Sequence, residues 1–242
     1  QDLRHCASAS LPAGSQPAMI VLFSTVDASI KGVIHPSGGA AAGTLVLDWS
    51  ADAKRLLALS SDSLHTLTVY NAITLEVVHV SHAGRGSVID ACMLGTSSIF
   101  AVACRTDTSV NDDFSNGIDF FIEEGCTFLG PTATLMYDKK PGIGITSEQA
   151  DLSLKQGVPL KPRTTALCKF ELPDEMISGN DAGEIFYWRG RYCSQCLRGH
   201  NASVISLSYE VGCNSIVSGA SDGTVCVYRL TFEVDPEFAP ML

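Results

Sequence analysis

The chain writes one phrase twice. "SGNDAGEIFYW" (Ser178–Trp188) and "SGASDGTVCVY" (Ser218–Tyr228) both run Ser-Gly, three residues, Gly, then an alternating stretch that ends on a large aromatic. A recurring phrase constrains a fold strongly, because each unit is one supersecondary piece that buries its core only by stacking on copies of itself. With the closing aromatic as a marker, the series extends to Phe23, Tyr70, Phe121, Trp188 and Tyr228, at spacings of 47, 51, 67 and 40 residues. A propeller blade takes roughly 40–45 residues. Three intervals fit with modest loops, and one carries an insertion.

Strand-like phrases fill the intervals. "TLVLDWS" and "RLLALSS" precede Tyr70, "SVIDACML" and "SIFAVAC" precede Phe121, "TALCKFE" and "EMISGN" precede Trp188, and "SVISLSY" and "SIVSGA" precede Tyr228. Weaker fourth strands such as "LEVVHVS" and "YCSQCLR" follow. Four short strands joined by polar turns, repeated, are the pattern of a β-propeller. An antiparallel sandwich also has short strands at regular spacing, but it does not place the same phrase at a fixed interval. The expected fold is all-β: a β-propeller with about four to five four-stranded blades, incomplete as given. Gly183 and Gly223 suit turn positions with positive φ. The expected organisation is an irregular segment over 1–17, blades over 18–231 with a long insertion at 138–163, and a tail over 232–242. The chain opens on Gln1 rather than Met, so a longer parent is expected.

Composition narrows the function. The formal net charge is −10, whereas a nucleic-acid binder needs a basic footprint. No apolar run reaches the ~18 residues that suggest a membrane span; "AMIVLFSTV" is strand-length. No signal peptide is visible. The nine cysteines are odd in number, and several sit in strand-like apolar runs, which fits reduced buried thiols in a cytoplasmic protein.

"RGHNASVISLSYEVGCNSIVSGASDGTVCVYRL" resembles a WD40 repeat: it carries Gly199-His200, Ser218-Gly219, Asp222-Gly223 and an aromatic, Tyr228, in the Trp position. The resemblance implies a hydrogen-bonded chain through His200, Ser218, Asp222 and Tyr228. Arg229 stands where the family has Asp, and Ala182 stands in the Asp position of the Trp188 blade, which should therefore lack the network. The order of "LDWSADAKRLLALSSDSLHTLTVYNAITLEVV", "NGIDFFIEEGCTFLG", "TTALCKFELPDEMISGNDAGEIFYWRG" and "GHNASVISL" is similar to the EMAP-like (echinoderm microtubule-associated protein-like) family. That similarity implies a non-enzymatic cytoskeletal protein of the cytoplasm or cilium that binds tubulin. The alternative is a generic WD40 scaffold subunit of a ciliary transport or ubiquitin-ligase assembly.

Motifs for chemistry are sparse. Cys193 and Cys196 form a CxxC before His200, but they lie in a strand-like phrase where a zinc site needs a turn and a fourth ligand. His79 and His82, three apart on a strand, point to opposite sides. "PGIGITSE" lacks the Gly-Lys-Ser/Thr of a phosphate loop, and no Gly-x-Ser-x-Gly elbow occurs. No cofactor, metal or catalytic group is expected. The insertion from Asp138 to Arg163 carries Lys139, Lys140, Lys155, Lys161 and Arg163 against Asp138, Glu148 and Asp151. A basic loop on an acidic chain suits an acidic protein partner such as tubulin. The open ends of an incomplete ring call for further blades or a second copy to cover them.

Overall fold

A computed structural model describes residues 5–13, 17–83, 87–95, 99–105, 116–124, 127–135, 163–170, 172, 175–189, 192–210 and 212–229. These residues form eighteen strands in five antiparallel sheets. The first sheet holds β1 (His5–Ala9), β2 (Ile20–Ser24) and β3 (Ile30–Ile34). The second holds β4 (Thr44–Trp49), β5 (Arg55–Ser60), β6 (Thr66–Asn71) and β7 (Val77–His82). The third holds β8 (Ser87–Leu94), β9 (Ile99–Arg105), β10 (Asn116–Glu124) and β11 (Thr127–Leu135). The fourth holds β12 (Thr164–Lys169), β13 (Glu175–Asn180), β14 (Glu184–Arg189) and β15 (Tyr192–Arg198). The fifth holds β16 (Val204–Glu210), β17 (Ser215–Ala220) and β18 (Val225–Arg229). Each sheet is a meander of strands consecutive in sequence. Three sheets have four described strands and two have three, where four in every blade was expected.

The packing follows from strand periodicity. Successive residues point to opposite faces, so a middle strand between two other sheets must be apolar on both. "RLLALS" shows this: Leu57 and Leu59 face the third sheet with Val69, Phe100, Val102 and Phe121. Leu56 and Ala58 face the first sheet with Ile20, Leu22, Ile34 and Tyr70. The third and fourth sheets enclose Ile118, Leu167, Met176, Phe186 and Trp188, and the fourth and fifth enclose Phe170, Ile177, Ile185, Val204 and Ile216. Four apolar clusters thus join five sheets in sequence order. Among the described residues, no cluster joins the fifth sheet back to the first, so the array is an open arc.

Register identifies the recurring aromatic position. Tyr70 lies opposite Leu56, Phe121 opposite Phe100, Trp188 opposite Met176 and Tyr228 opposite Ile216. Each aromatic is in the third strand of its sheet, paired with the second strand. Phe23 breaks the series. It lies in β2, a second strand, half-buried between the buried Leu22 and Ser24, and the corresponding pair in that sheet is Ile20 with Ile34. Residues 1–17, expected to be irregular, contain the strand β1. "HCASA" has too little apolar bulk to advertise a strand, yet β1 pairs with β2 from His5–Ser24 to Ala9–Ile20. Both predicted turn glycines, Gly183 and Gly223, have φ of +83°.

The first strands β4, β8, β12 and β16 stand side by side in that order at the inner edge of the arc. Each carries a β-bulge near its start, at the second residue of β4, β12 and β16 and the third of β8: Thr44/Val46, Val88/Asp90, Thr164/Ala166 and Val204/Ser206. A bulge adds a residue and increases local twist. Repeated four times at corresponding places, it sets the same orientation for the residues that follow.

Candidate functional site

Two polar networks brace the outer parts of the sheets. In the fifth sheet the buried His200 places Nε2 2.6 Å from Ser218 Oγ and Nδ1 2.8 Å from Thr224 Oγ1. The Thr224 hydroxyl donates to Asp222 Oδ1 at 2.7 Å, and the Thr224 backbone N–H donates to the same oxygen at 2.9 Å. A hydroxyl has one proton to give. Thr224 therefore receives from His200 Nδ1–H, and Nε2 lies within hydrogen-bond distance of the Ser218 hydroxyl. The Asp222 carboxyl is held below its usual range, chiefly by the Thr224 hydroxyl and then by the Thr224 N–H.

Two sequence expectations need correction here. His200 and Asp222 do not meet directly, because Thr224 stands between them; the signal was the Asp-Gly-Thr string, in which Thr two residues after Asp can close a local turn. The Tyr228 hydroxyl lies beside the Ser218 and Cys226 side chains, without the geometry of a hydrogen bond to either. The hydroxyl instead lies 1.9 Å from where a Cβ on Gly199 would sit. Gly199 is thus required by the Tyr228 ring rather than by backbone conformation.

The second sheet has a related network. Asp62 accepts from Ser60 Oγ, from Thr66 N–H at 2.7 Å and from Thr66 Oγ1 at 2.8 Å, and Thr66 Oγ1 lies 3.3 Å from His82 Nδ1. Burial pushes the Asp62 carboxyl up, but the Ser60 and Thr66 donors outweigh it and hold it at about 2. The fourth sheet has no such histidine. Its link is Trp188 Nε1 donating to Ser178 Oγ at 2.8 Å. Of the five basic residues in the insertion, Lys139, Lys140, Lys155 and Lys161 lie outside the described residues. Arg163 is tied down: its N–H donates to Asp181 Oδ1 at 2.9 Å, and Asp181 N–H donates to Arg163 O at 3.0 Å.

The site that the sequence did not reveal is at the inner edge of the arc. Strands β4, β8, β12 and β16 line a cavity of about 440 Å³. Its walls include Val46, Leu47, Ala91, Leu167 and Leu207, with Asp48, Asp90, Lys169, Cys92, Cys168 and Tyr209 among them. Lys169 Nζ donates to Asp48 Oδ1 at 2.8 Å and also to Trp49 O. Asp48 Oδ2 accepts from Met93 N–H at 2.8 Å. Asp90 Oδ2 accepts from Leu167 N–H at 2.7 Å, and Oδ1 from Ala91 N–H at 2.8 Å. Thr165 Oγ1 donates to Val204 O at 2.5 Å. Each junction between neighbouring inner strands is therefore closed by a side chain of one sheet bonding the backbone of the next. These strands belong to different sheets, so the side chains supply partners that no ladder does.

Burial dominates the electrostatics of the cavity. It raises the Asp48 carboxyl, partly offset by Lys169 and the Met93 N–H. It pushes Asp90 up to about 6, with the Asp48 charge adding to the effect and the Leu167 and Ala91 donors opposing it. It also pushes the Cys168 thiol up to about 11 and Cys92 well above its ordinary value. At neutral pH both thiols are protonated, and only a thiolate is a competent nucleophile. The cavity thus offers a fixed counter-ion rather than a nucleophile. Among the described residues, no three His, Cys, Asp or Glu side chains converge as a metal site.

Five meander sheets stacked in an arc, with bulged first strands lining the inner edge, define a β-propeller of WD40 type, incomplete over these residues. No family model matches the sequence, and no curated protein matches it. Among solved structures, the chain is similar to the β-propeller domain of Cps50 (Swd1) from Myceliophteria thermophila, with a TM-score of 0.68 at 13% identity. The match covers 97% of this chain and 65% of that one, so the chain spans slightly under two thirds of that structure. At such identity the likeness is one of fold.

Proposed function

We propose that the chain is a non-enzymatic protein–protein interaction module, part of a larger cytoskeletal protein, and that tubulin is its partner. The observation that carries the module reading is the open arc. The fifth sheet turns Ile205 (61% exposed), Val225 and Val227 (67% each) to solvent, and apolar surface gathered on one sheet face is a contact surface. Further blades or another chain cover such a face. The tubulin reading rests on the order of EMAP-like phrases and on the basic insertion between Asp138 and Arg163 of an otherwise acidic chain. A generic WD40 scaffold subunit is the second reading, favoured where the same surfaces bind a partner other than tubulin.

Co-sedimentation with microtubules tests the finer reading. Each exposed Lys contact contributes at most ~1 kcal/mol and is screened by salt, so several must act together. Replacing Lys139, Lys140, Lys155 and Lys161 with Glu is expected to abolish pelleting at low salt while the melting temperature stays that of the parent. A quadruple variant that pellets like the parent removes the insertion from the contact. A parent chain that does not pellet removes tubulin.

A further inference from the structure

The cavity holds an uncompensated charge. Among the described residues, three charged groups face it: Asp48 from β4, Asp90 from β8 and Lys169 from β12. Lys169 is committed to Asp48 at 2.8 Å. The other titratable groups there are neutral: Cys92 of β8 and Cys168 of β12 are held as thiols by burial, and the Tyr209 hydroxyl of β16 donates to Asn214 Oδ1 at 3.1 Å. Among the described residues, Asp90 therefore has no cation of its own. Each of its oxygens accepts one backbone N–H and retains further acceptor capacity. A half-buried carboxylate anchored by two backbone donors stays in the cavity wall, so a partner cation has to reach it there.

The walls specify what can come. Apolar side chains from four sheets, Val46, Leu47, Ala91, Leu167 and Leu207, cover the approach. They suit an aliphatic stem that carries its charge at the tip. The volume falls within the roughly 300–1,000 Å³ of small-ligand sites. A planar guanidinium matches a carboxylate presented with both oxygens fixed, through two parallel N–H···O bonds, better than a point-charge ammonium does. An anion is excluded by the net negative charge. We propose that this cavity receives the guanidinium of an arginine side chain projecting from a partner protein, with Asp90 as its counter-ion. The proposal rests on the reading of the chain as a partner-binding module, but it does not require tubulin.

The test uses the full chain and three short peptides, acetyl-Gly-Gly-X-Gly-Gly-amide, with X arginine, lysine or the neutral isostere citrulline. Backbone amide shifts are followed by NMR up to about 10 mM peptide, an order above the ~1 mM dissociation constant that corresponds to about 4 kcal/mol. The arginine peptide should shift the Ala91, Cys92 and Leu167 amides saturably, with lysine weaker and citrulline at least about tenfold weaker, the size of a lost charge-assisted contact. Binding needs the ionised carboxylate. With the Asp90 midpoint at about 6, the ionised fraction, and with it the affinity, should fall about tenfold from pH 7 to pH 5. Asp90→Asn should lose binding. Because that variant also disturbs the bond to Leu167, Ser208→Trp is the second one; it leaves Asp90 intact and fills the cavity from an exposed wall position, and it should lose binding while melting like the parent. Equal binding of arginine and citrulline peptides, parent-like binding by Ser208→Trp, or no saturable shift overturns the proposal. A chain that pellets with microtubules yet ignores the arginine peptide keeps the module reading and loses this one.

Discussion

Lys169→Met is expected to destabilise the chain by about 2 kcal/mol at pH 7, less than the loss from a fully buried ion pair, because both side chains keep part of their surface in solvent. In a domain of this size that corresponds to a fall in melting temperature of roughly 5 °C. The substitution keeps the apolar stem and deletes the ammonium. Asp48 then stays behind in the cavity wall with its Met93 contact but no cation, and with Asp90 as a like-charged neighbour. The sign of the pH dependence follows. Burial already raises the Asp48 carboxyl above its ordinary value, and loss of Lys169 raises it further. A carboxyl whose folded pKa exceeds its unfolded one binds more protons folded than unfolded, so the variant regains stability as pH falls through the folded value. Adding Asp48→Asn should recover part of the loss at pH 7, because the charge goes and an acceptor for Met93 stays. Equilibrium denaturant unfolding reads all three proteins. Parent-like stability of Lys169→Met would mean that the pair is solvated and that the cavity does not bury its charges.

Phe121→Ala should cost about 3–5 kcal/mol, whereas Phe23→Ala should cost about 1 kcal/mol or less. The sequence ranks the two alike, as markers of the same repeat. The structure separates them. Phe121 is fully buried between the second and third sheets and stacks on Phe100 with ring centroids 4.9 Å apart and planes 9° from parallel. Phe23 sits half-buried in β2, with Leu22 and Ser24 facing the core. Ile34 holds the position corresponding to Phe121 in the first sheet, so Ile34→Ala should cost more than Phe23→Ala. Urea unfolding of the three variants decides the order. A larger loss for Phe23→Ala than for Ile34→Ala would restore the original register of the first sheet.

Tyr70, Phe121, Trp188 and Tyr228 were legible because each closes an alternating run just after a polar turn, and both signals are local. His200 and Ser218 were legible through the phrase that surrounds them. Thr224 and the Gly199–Tyr228 contact were not, because they depend on how one turn folds over another. The first sheet failed for a different reason: the small residues of β1 gave no period against which to place β2. The cavity was invisible throughout. Asp48 in "TLVLDW" and Asp90 in "SVIDACML" read as the outward polar positions of alternating strands. Asp48 lies 121 residues from Lys169, and Asp90 lies 77 from the Leu167 N–H it binds. No spacing rule spans such distances. Only the side-by-side placement of first strands from successive sheets turns these outward positions inward.

That placement is the central claim, and the Leu167 amide reads it most directly. Its N–H donates to Asp90, which belongs to the neighbouring sheet, and Asp90 titrates at about 6. In a pH series of amide spectra, the Leu167 resonance should move with a midpoint near 6 and stop moving in Asp90→Asn. A Leu167 amide that stays still between pH 5 and 7, or that follows a carboxylate of the ordinary value near 4, would contradict both the adjacency of the inner strands and the half-buried carboxylate between them.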